Sequence, residues 1–236
     1  LFEKIKANRG PIGMHAKESH GYFTFPKLEG DINPRMIFRG KECLNWSLNN
    51  YLGLANHPEV RKADAAAGKK DGYAMPMRAR MMSGNSNLHK KLEAQLGAFV
   101  QKKDTILCNF GYHAMVSAID CLVDHHDVIV YDAESHACIL DGVRLHMGKR
   151  YVFKHNDVED CEKQLQRATK LAEEQNGSIL LITEGVFGMS GRQGRLKEIV
   201  ELKKKYNFRL FVDDAHGIGT MGATGGGTGQ EQGCQD

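Results

Sequence analysis

No apolar run in this sequence approaches the roughly 20 residues needed to cross a bilayer, and the first residues, beginning at Leu1, resemble no secretory leader. No basic stretch is interleaved with aromatics. A net charge of +3 is too slight to draw the chain to nucleic acid. The six cysteines (Cys43, Cys108, Cys121, Cys138, Cys161 and Cys234) never fall in a Cys-x-x-Cys pair. That spacing argues against a zinc site or a disulfide framework and for reduced thiols in a cytoplasmic protein. A Gly-Lys-Ser/Thr tripeptide is missing too, which excludes a P-loop. Repeats and low-complexity tracts are absent, apart from a glycine-rich segment from Gly222 to Gly229.

What the sequence does contain is an alternation of short apolar runs with amphipathic stretches. Its 236 residues, 41% apolar and 26% charged, are enough to bury a substantial core. Residues 1–35 mix charge, Gly and Pro with the isolated aromatics Tyr22, Phe23 and Phe25, and read as an amino-terminal arm with a short helix. Met36–Phe38 and Cys43–Trp46 flank Arg39-Gly40-Lys41 as a hairpin. Asn49 to Leu54 is a loop. A helix runs from Pro58 towards the break at Gly68–Gly72, and a second begins after Ser86, with Leu88, Leu92, Leu96 and Phe99 at helical spacing.

From Thr105 onward strand and helix alternate. Strands are expected at Thr105–Cys108, Asp127–Tyr131, Arg150–Phe153, Ser178–Thr183 and Phe208–Val212. Helices are expected at Tyr112–Leu122, His136–Met147, Val158–Glu174 (capped by Asp157, with Gly177 beyond its end) and Leu196–Tyr206. This order predicts an α/β fold, a mostly parallel sheet with helices on both faces. The domain boundaries expected are an arm and hairpin over 1–55 and a large domain over 56–236.

Open α/β sheets bind ligands at the carboxyl ends of their strands, and there the polar clusters fall. Asn109-Phe110-Gly111-Tyr112-His113 is a glycine turn opening a helix, whose free N–H groups suit a phosphate; an ordinary strand-to-helix turn explains it as well. Asp132-Ala-Glu-Ser-His136 puts a histidine at a helix start, where it either stacks on an aromatic ligand or caps the helix. Glu184-Gly-Val-Phe-Gly188 follows the fourth strand, and Asp213, Asp214 and His216 follow the fifth. A phosphate nest, a planar ring and an anion on one rim match pyridoxal 5'-phosphate, whose protonated pyridine nitrogen wants a carboxylate. Asp213 would hold that proton, and His216 would reach the ring's phenolic oxygen. Two rival motifs are weaker. Gly217-Ile-Gly219-Thr-Met-Gly222 fits a dinucleotide fingerprint but is followed by poor helix-forming residues. Asp124-His125-His126-Asp127 reads as a solvated turn.

Five ordered motifs carry a resemblance: Asn49-Asn50-Tyr-Leu-Gly-Leu, Gly111-Tyr112-x-Ala114, Asp132-x-x-x-His136-Ala137, Thr183-Glu-Gly-Val-Phe187 and Val212-Asp-Asp-Ala-His216-Gly-x-Gly219. In this order the chain resembles the α-oxoamine synthases, pyridoxal-phosphate enzymes of fold type I. That family includes glycine C-acetyltransferase, 8-amino-7-oxononanoate synthase, serine palmitoyltransferase and 5-aminolevulinate synthase. The resemblance implies an acyltransferase that condenses an amino acid with an acyl-CoA, as a homodimer with its sites at the subunit interface. It gives His136 the stacking role, Asp213 the pyridinium, His216 the ring oxygen and Gly111 and Tyr112 the phosphate end. Glu184 is carried over as a cofactor-binding residue. Asn49 aligns with an asparagine near the substrate carboxylate, and Arg80 with an arginine before the following helix; a salt bridge explains Arg80 equally.

Two departures stand out. Phe187-Gly188-Met189-Ser190-Gly191-Arg192 replaces a Ser at position 188 and an acidic residue at position 192. In that family the cofactor-bearing lysine lies downstream of the Asp213 strand, yet no lysine follows Lys205. The chain is therefore read as a fragment of a longer enzyme, without that lysine or the small carboxy-terminal domain, and inactive as it stands. An aminotransferase and a lysine-less scaffold subunit are the alternatives. A Ser/Thr-x-Ser/Ala-Lys segment beyond Asp236 separates enzyme from scaffold.

Overall fold

The structure, a computed structural model, describes residues 2–7, 11–19, 25–72 and 79–235. Tyr22 and Phe23 of the arm lie outside the described residues. The chain divides into two compact units, Leu1–Met75 and Pro76–Asp236.

The first unit holds helices α1 (Phe2–Lys6) and α2 (Pro11–Glu18), then strands β1 (Leu28–Glu29), β2 (Arg35–Phe38) and β3 (Lys41–Leu44) in an antiparallel sheet. The expected hairpin turns on Arg39 and Gly40, both at positive φ (52° and 74°), with Phe38 opposite Lys41. Two left-handed residues make the primed turn whose twist matches paired strands, which is why Gly is there. Helix α3 (Pro58–Asp71) starts at Pro58 as expected and stops at Gly72, φ 80°.

The second unit contains the sheet that positions the site. Strands β4 (Val128–Asp132), β5 (Lys149–Phe153), β6 (Ile179–Glu184) and β7 (Arg209–Asp213) are all parallel, in the order β5-β4-β6-β7. Side-chain alternation divides the core into two layers. Val128, Val130 and Leu181 pack with Phe153 against α7 (Val158–Gln175) and α8 (Leu196–Glu201) on one face. Ile129, Leu180 and Ile182 pack against α5 (Gly111–Leu122) and α6 (Ala137–Leu145) on the other. Helices on both faces of a parallel sheet are what the alternating pattern predicts. Asp157 caps α7 by accepting from Asp160 N at 2.9 Å. Asn176, left-handed at φ 54°, ends α7.

Two expectations fail locally. Thr105–Cys108 joins no sheet among the described residues. Its polar groups are instead held by one glutamate: Thr105 Oγ1 donates to the Glu93 carbonyl, and Leu107 N to Glu93 Oε1 at 2.8 Å. The apolar content was there, but a ladder partner was not; Ile106 remains 81% exposed. The expected helix Leu196–Tyr206 also ends early, at Glu201, and continues as one 3-10 turn over Leu202–Lys204. Among the described residues no helix is long and apolar enough to cross a membrane.

Candidate active site

Three neighbouring strands end on one rim. Glu184 and Asp213 are register partners at the ends of β6 and β7, and Asp132 closes β4 beside them. Strands β4 and β6 are buried along most of their length and β7 only partly, and each must turn at its end, so the polar side chains there gather at the edge of the core.

His136 is the N-cap of α6: its Nδ1 accepts from Cys138 N at 3.3 Å. The capping reading of this histidine is the one these bonds show. Nδ1 caps the helix while the ring stays exposed. The backbone N–H of His136 donates to Glu184 Oε1, which ties α6 to the end of β6. Its ring meets Tyr112 edge-on, with centroids 6.2 Å apart, so the starts of α5 and α6 lie side by side. Tyr112 Oη in turn donates to Asp141 Oδ2 on α6, a bond that raises the phenol's pKa.

Helix α5 opens at Gly111 after Phe110, which offers no side-chain cap. Its first N–H groups have no intrahelical acceptor, so they suit an anion. A Cβ added to Gly111 would meet nothing within 4 Å, so this end of the helix is open to a ligand.

Asp213 is half-buried. Its Oδ1 accepts from Ala215 N at 3.1 Å, while Oδ2 lies 3.9 Å from the Cys138 thiol. Glu184 is nearly sealed, 4% exposed. Burial, and then the charges of Asp213 and Asp132, push its carboxyl up to about 7 against the bonds from His136 N and Gly188 N. His216 packs against Gly188, whose missing Cβ would stand 2.5 Å from Nε2 of the imidazole.

The loop behind these groups is anchored by Asp214. Its carboxylate accepts from Thr228 N and Thr228 Oγ1, both at 2.7 Å, and a Cβ on Gly185 or Gly217 would collide with it. Burial raises the Asp214 pKa, and the two Thr228 bonds oppose that shift. Asp214 was not among the expected site residues. Its signal was the run of glycines around it, which makes room for a buried carboxylate.

Arg80 and Asn49 are the remaining expected residues. Arg80, on a π-helical turn (Arg80–Gly84), has its guanidinium engaged within the second unit. It pairs with Glu93 at 2.6 Å and donates to the Leu107 carbonyl at 2.7 Å and to Asn85. These bonds describe the salt-bridge reading of this residue. Asn49 belongs to the first unit, exposed, accepting from Tyr51 Oη at 3.3 Å. Gly217–Gly222 leads into turns, and the next helix, α9 (Thr228–Glu231), begins only later; no helix opens on the fingerprint. Asp124 and Asp127 form a self-bonded exposed turn, with Asp127 Oδ1 accepting from Ser178 N at 2.7 Å. An apolar groove of about 1070 Å³ along α5 is lined by Ile106, Phe110, Gly111 and Phe211, but not by His136, Asp213 or His216. The polar chemistry is gathered at the strand ends instead.

The donor set fits pyridoxal phosphate: free N–H groups at the start of α5, the exposed His136 ring beside them, and a carboxylate with one oxygen tied and the other directed inward.

Comparison with known proteins agrees with that arrangement. The family model for aminotransferase class I and II matches residues 41–230. A cysteate-C-fatty acyltransferase of Capnocytophaga ochracea is 63% identical over the whole chain, which spans 56% of that protein. An 8-amino-7-oxononanoate synthase of Thermoanaerobacter pseudethanolicus is 39% identical over 90% of the chain and 52% of its own length. A serine palmitoyltransferase from S. paucimobilis with bound PLP-myriocin aldimine superposes with a TM-score of 0.85 at 31% identity, over 98% of this chain and 57% of that one. The chain thus spans about half the length of the curated relatives it matches.

Proposed function

The chain belongs to the aminotransferase class I and II family, and from that premise we propose that it is the cofactor-binding part of a pyridoxal-phosphate-dependent acyltransferase. The reaction is condensation of an amino acid with an acyl thioester, the type expected of an α-oxoamine synthase. The observation that carries this reading is the contact chain Tyr112–His136–Cys138–Asp213, which joins a helix start suited to phosphate to a carboxylate suited to a pyridinium.

Bound there, pyridoxal phosphate would supply an electron sink for the pair left on an amino acid's α-carbon. The residues around it bind and orient. The N–H groups at the start of α5 take the phosphate, and the exposed His136 ring offers a flat face. Asp213, with Oδ1 fixed by Ala215 N, keeps a carboxylate oxygen for the ring's N–H. In a partly buried setting that charge pair is stronger than in water. His216, set against Gly188, would be the partner of the phenolic oxygen.

The resemblance to a cysteate-C-fatty acyltransferase makes cysteate and a fatty acyl thioester the first substrates to test. A cytoplasmic homodimer with sites at the subunit interface completes the reading, and sedimentation of the full-length protein checks the dimer. The deciding experiment is a pyridoxal phosphate absorbance titration of the full-length protein. A release assay for the thiol of the acyl thioester follows, across cysteate, serine, alanine and glycine. A cofactor band lost in Asp213→Ala, with thiol release on one of these amino acids, supports the proposal. No band in the wild type, or wild type and Asp213→Ala behaving alike, would sink it.

A further inference from the structure

The chain has two fully buried cysteines, and they differ. Cys161 lies on α7 in the all-apolar layer with Leu165, Phe153 and Val130, as an ordinary core thiol does. Cys138, 3% exposed, lies on α6 with Ile139 and Ile182 below it, but its sulfur is turned to the polar rim. Sγ stands 2.9 Å from His136 Nδ1 and 3.9 Å from Asp213 Oδ2. These two side chains come from different elements, the cap of α6 and the end of β7, and Cys138 is the group between them.

We propose that Cys138 is a positioning residue of the site, its thiol fixing the His136 ring by donating to Nδ1 while its sulfur stands beside the Asp213 carboxylate. The inference rests on the cofactor reading above.

The bonding leaves the thiol this role. His136 Nδ1 accepts the Cys138 backbone N–H, so it is the unprotonated nitrogen, and the thiol 2.9 Å away is the donor to it. Asp213 Oδ1 is occupied by Ala215 N, which leaves Oδ2, 3.9 Å from the sulfur, for the cofactor. Burial first, and Asp213 second, push the thiol up to about 11, so it keeps its proton at neutral pH and remains a donor. A thiolate there would repel the anion that the cofactor needs. At neutral pH the thiol is too weakly acidic and too buried to act as the nucleophile of the reaction.

Replacement separates positioning from packing. In the full-length protein, Cys138→Ser keeps a donor in a smaller volume, Cys138→Val keeps the volume without a donor, and Cys138→Ala keeps neither. The expected order of pyridoxal phosphate affinity is wild type, then Ser within about twofold, then Val and Ala weaker by about tenfold, the weight of one hydrogen bond. The pH dependence of the bound cofactor's absorbance should shift in Val and Ala but not in Ser. A Val variant like wild type with a weakened Ser variant makes Cys138 a packing residue and overturns the proposal, as do three variants identical to wild type.

A second measurement needs no cofactor and no variant at position 138. Alkylation of Cys138, read by peptide mass spectrometry across pH, should run severalfold faster at pH 9 in Asp213→Asn than in wild type. Equal rates would mean no thiol–carboxylate contact, and the proposal falls. Wild-type protein that binds no pyridoxal phosphate sinks the proposed function, and the alkylation profile then decides on Cys138 alone.

Discussion

The imidazole of His216 fills the space that a side chain at position 188 would need: a Cβ on Gly188 would stand 2.5 Å from Nε2, 3.1 Å from Cδ2 and 3.3 Å from Cε1. The sequence marks Gly188 as a departure, a lost hydroxyl. In the structure the same substitution admits a ring. Gly188→Ser should therefore fold, since only the tip of one side chain has to move, at a cost of about 1–2 kcal/mol. The ring, however, is displaced. Severalfold weaker pyridoxal phosphate binding and shifted His216 ring resonances are expected; unchanged resonances would show that position 188 does not constrain the ring.

Glu184 should make stability depend on pH. Its buried carboxyl titrates at about 7 rather than at 4.5, mainly through desolvation. A raised carboxyl pKa means that the native state binds the proton more tightly than the unfolded chain does. The stabilisation is complete below about pH 4.5 and is lost as pH rises to about 7. A displacement of this size is worth roughly 3 kcal/mol at most. Glu184→Gln removes the titration and keeps an oxygen for His136 N. Urea melts of the cofactor-free protein should show the variant gaining on wild type between pH 5 and pH 8. Parallel curves for the two proteins would contradict the buried carboxyl.

Asp214→Ala leaves Thr228 N and Thr228 Oγ1 without their acceptor in a pocket that three glycines keep tight around it. A loss of about 2–5 kcal/mol is expected. Asp214→Asn, which retains one oxygen, should lose about half of that. Thermal melts decide. A loss under about 0.5 kcal/mol in Asp214→Ala, the scale of surface changes, would mean that the loop does not depend on this carboxylate.

Arg80 joins Glu93 and the Leu107 carbonyl, and so ties the middle of α4 (Asn87–Phe99) to the unpaired segment 105–108. Arg80→Ala should lower the melting midpoint and increase proteolysis at 105–108. Arg80→Lys should recover little, because an ammonium lacks the planar fork that engages three partners. Full recovery by lysine would mean that charge alone matters.

The alternation of apolar runs made the parallel sheet and its flanking helices legible, because side-chain period and strand length are local properties. Caps were legible for the same reason: Ser86 and Asp157 precede their helices and bond within the next turn. Thr105–Cys108 was misread because a strand also needs a partner, and pairing is not written in the segment itself. Leu196–Tyr206 was read too long because its last residues tighten into a 3-10 turn. Asp214 was passed over beside Asp213, although adjacent residues at a strand end point to opposite sides: one faces the rim, the other the loop behind it.

The sequence by itself determined which chemistry is present. A glycine-started helix, a helix-capping histidine and strand-end carboxylates stand in an order that already indicated a cofactor. Only the tertiary structure decided how these groups are connected. Glu184 holds the His136 backbone, Cys138 stands between His136 and Asp213, and His216 enters the gap at Gly188, across separations of 48, 75 and 28 residues. Such contacts arise from parallel crossovers that bring distant strand ends to one rim, and that rim forms only when the sheet does.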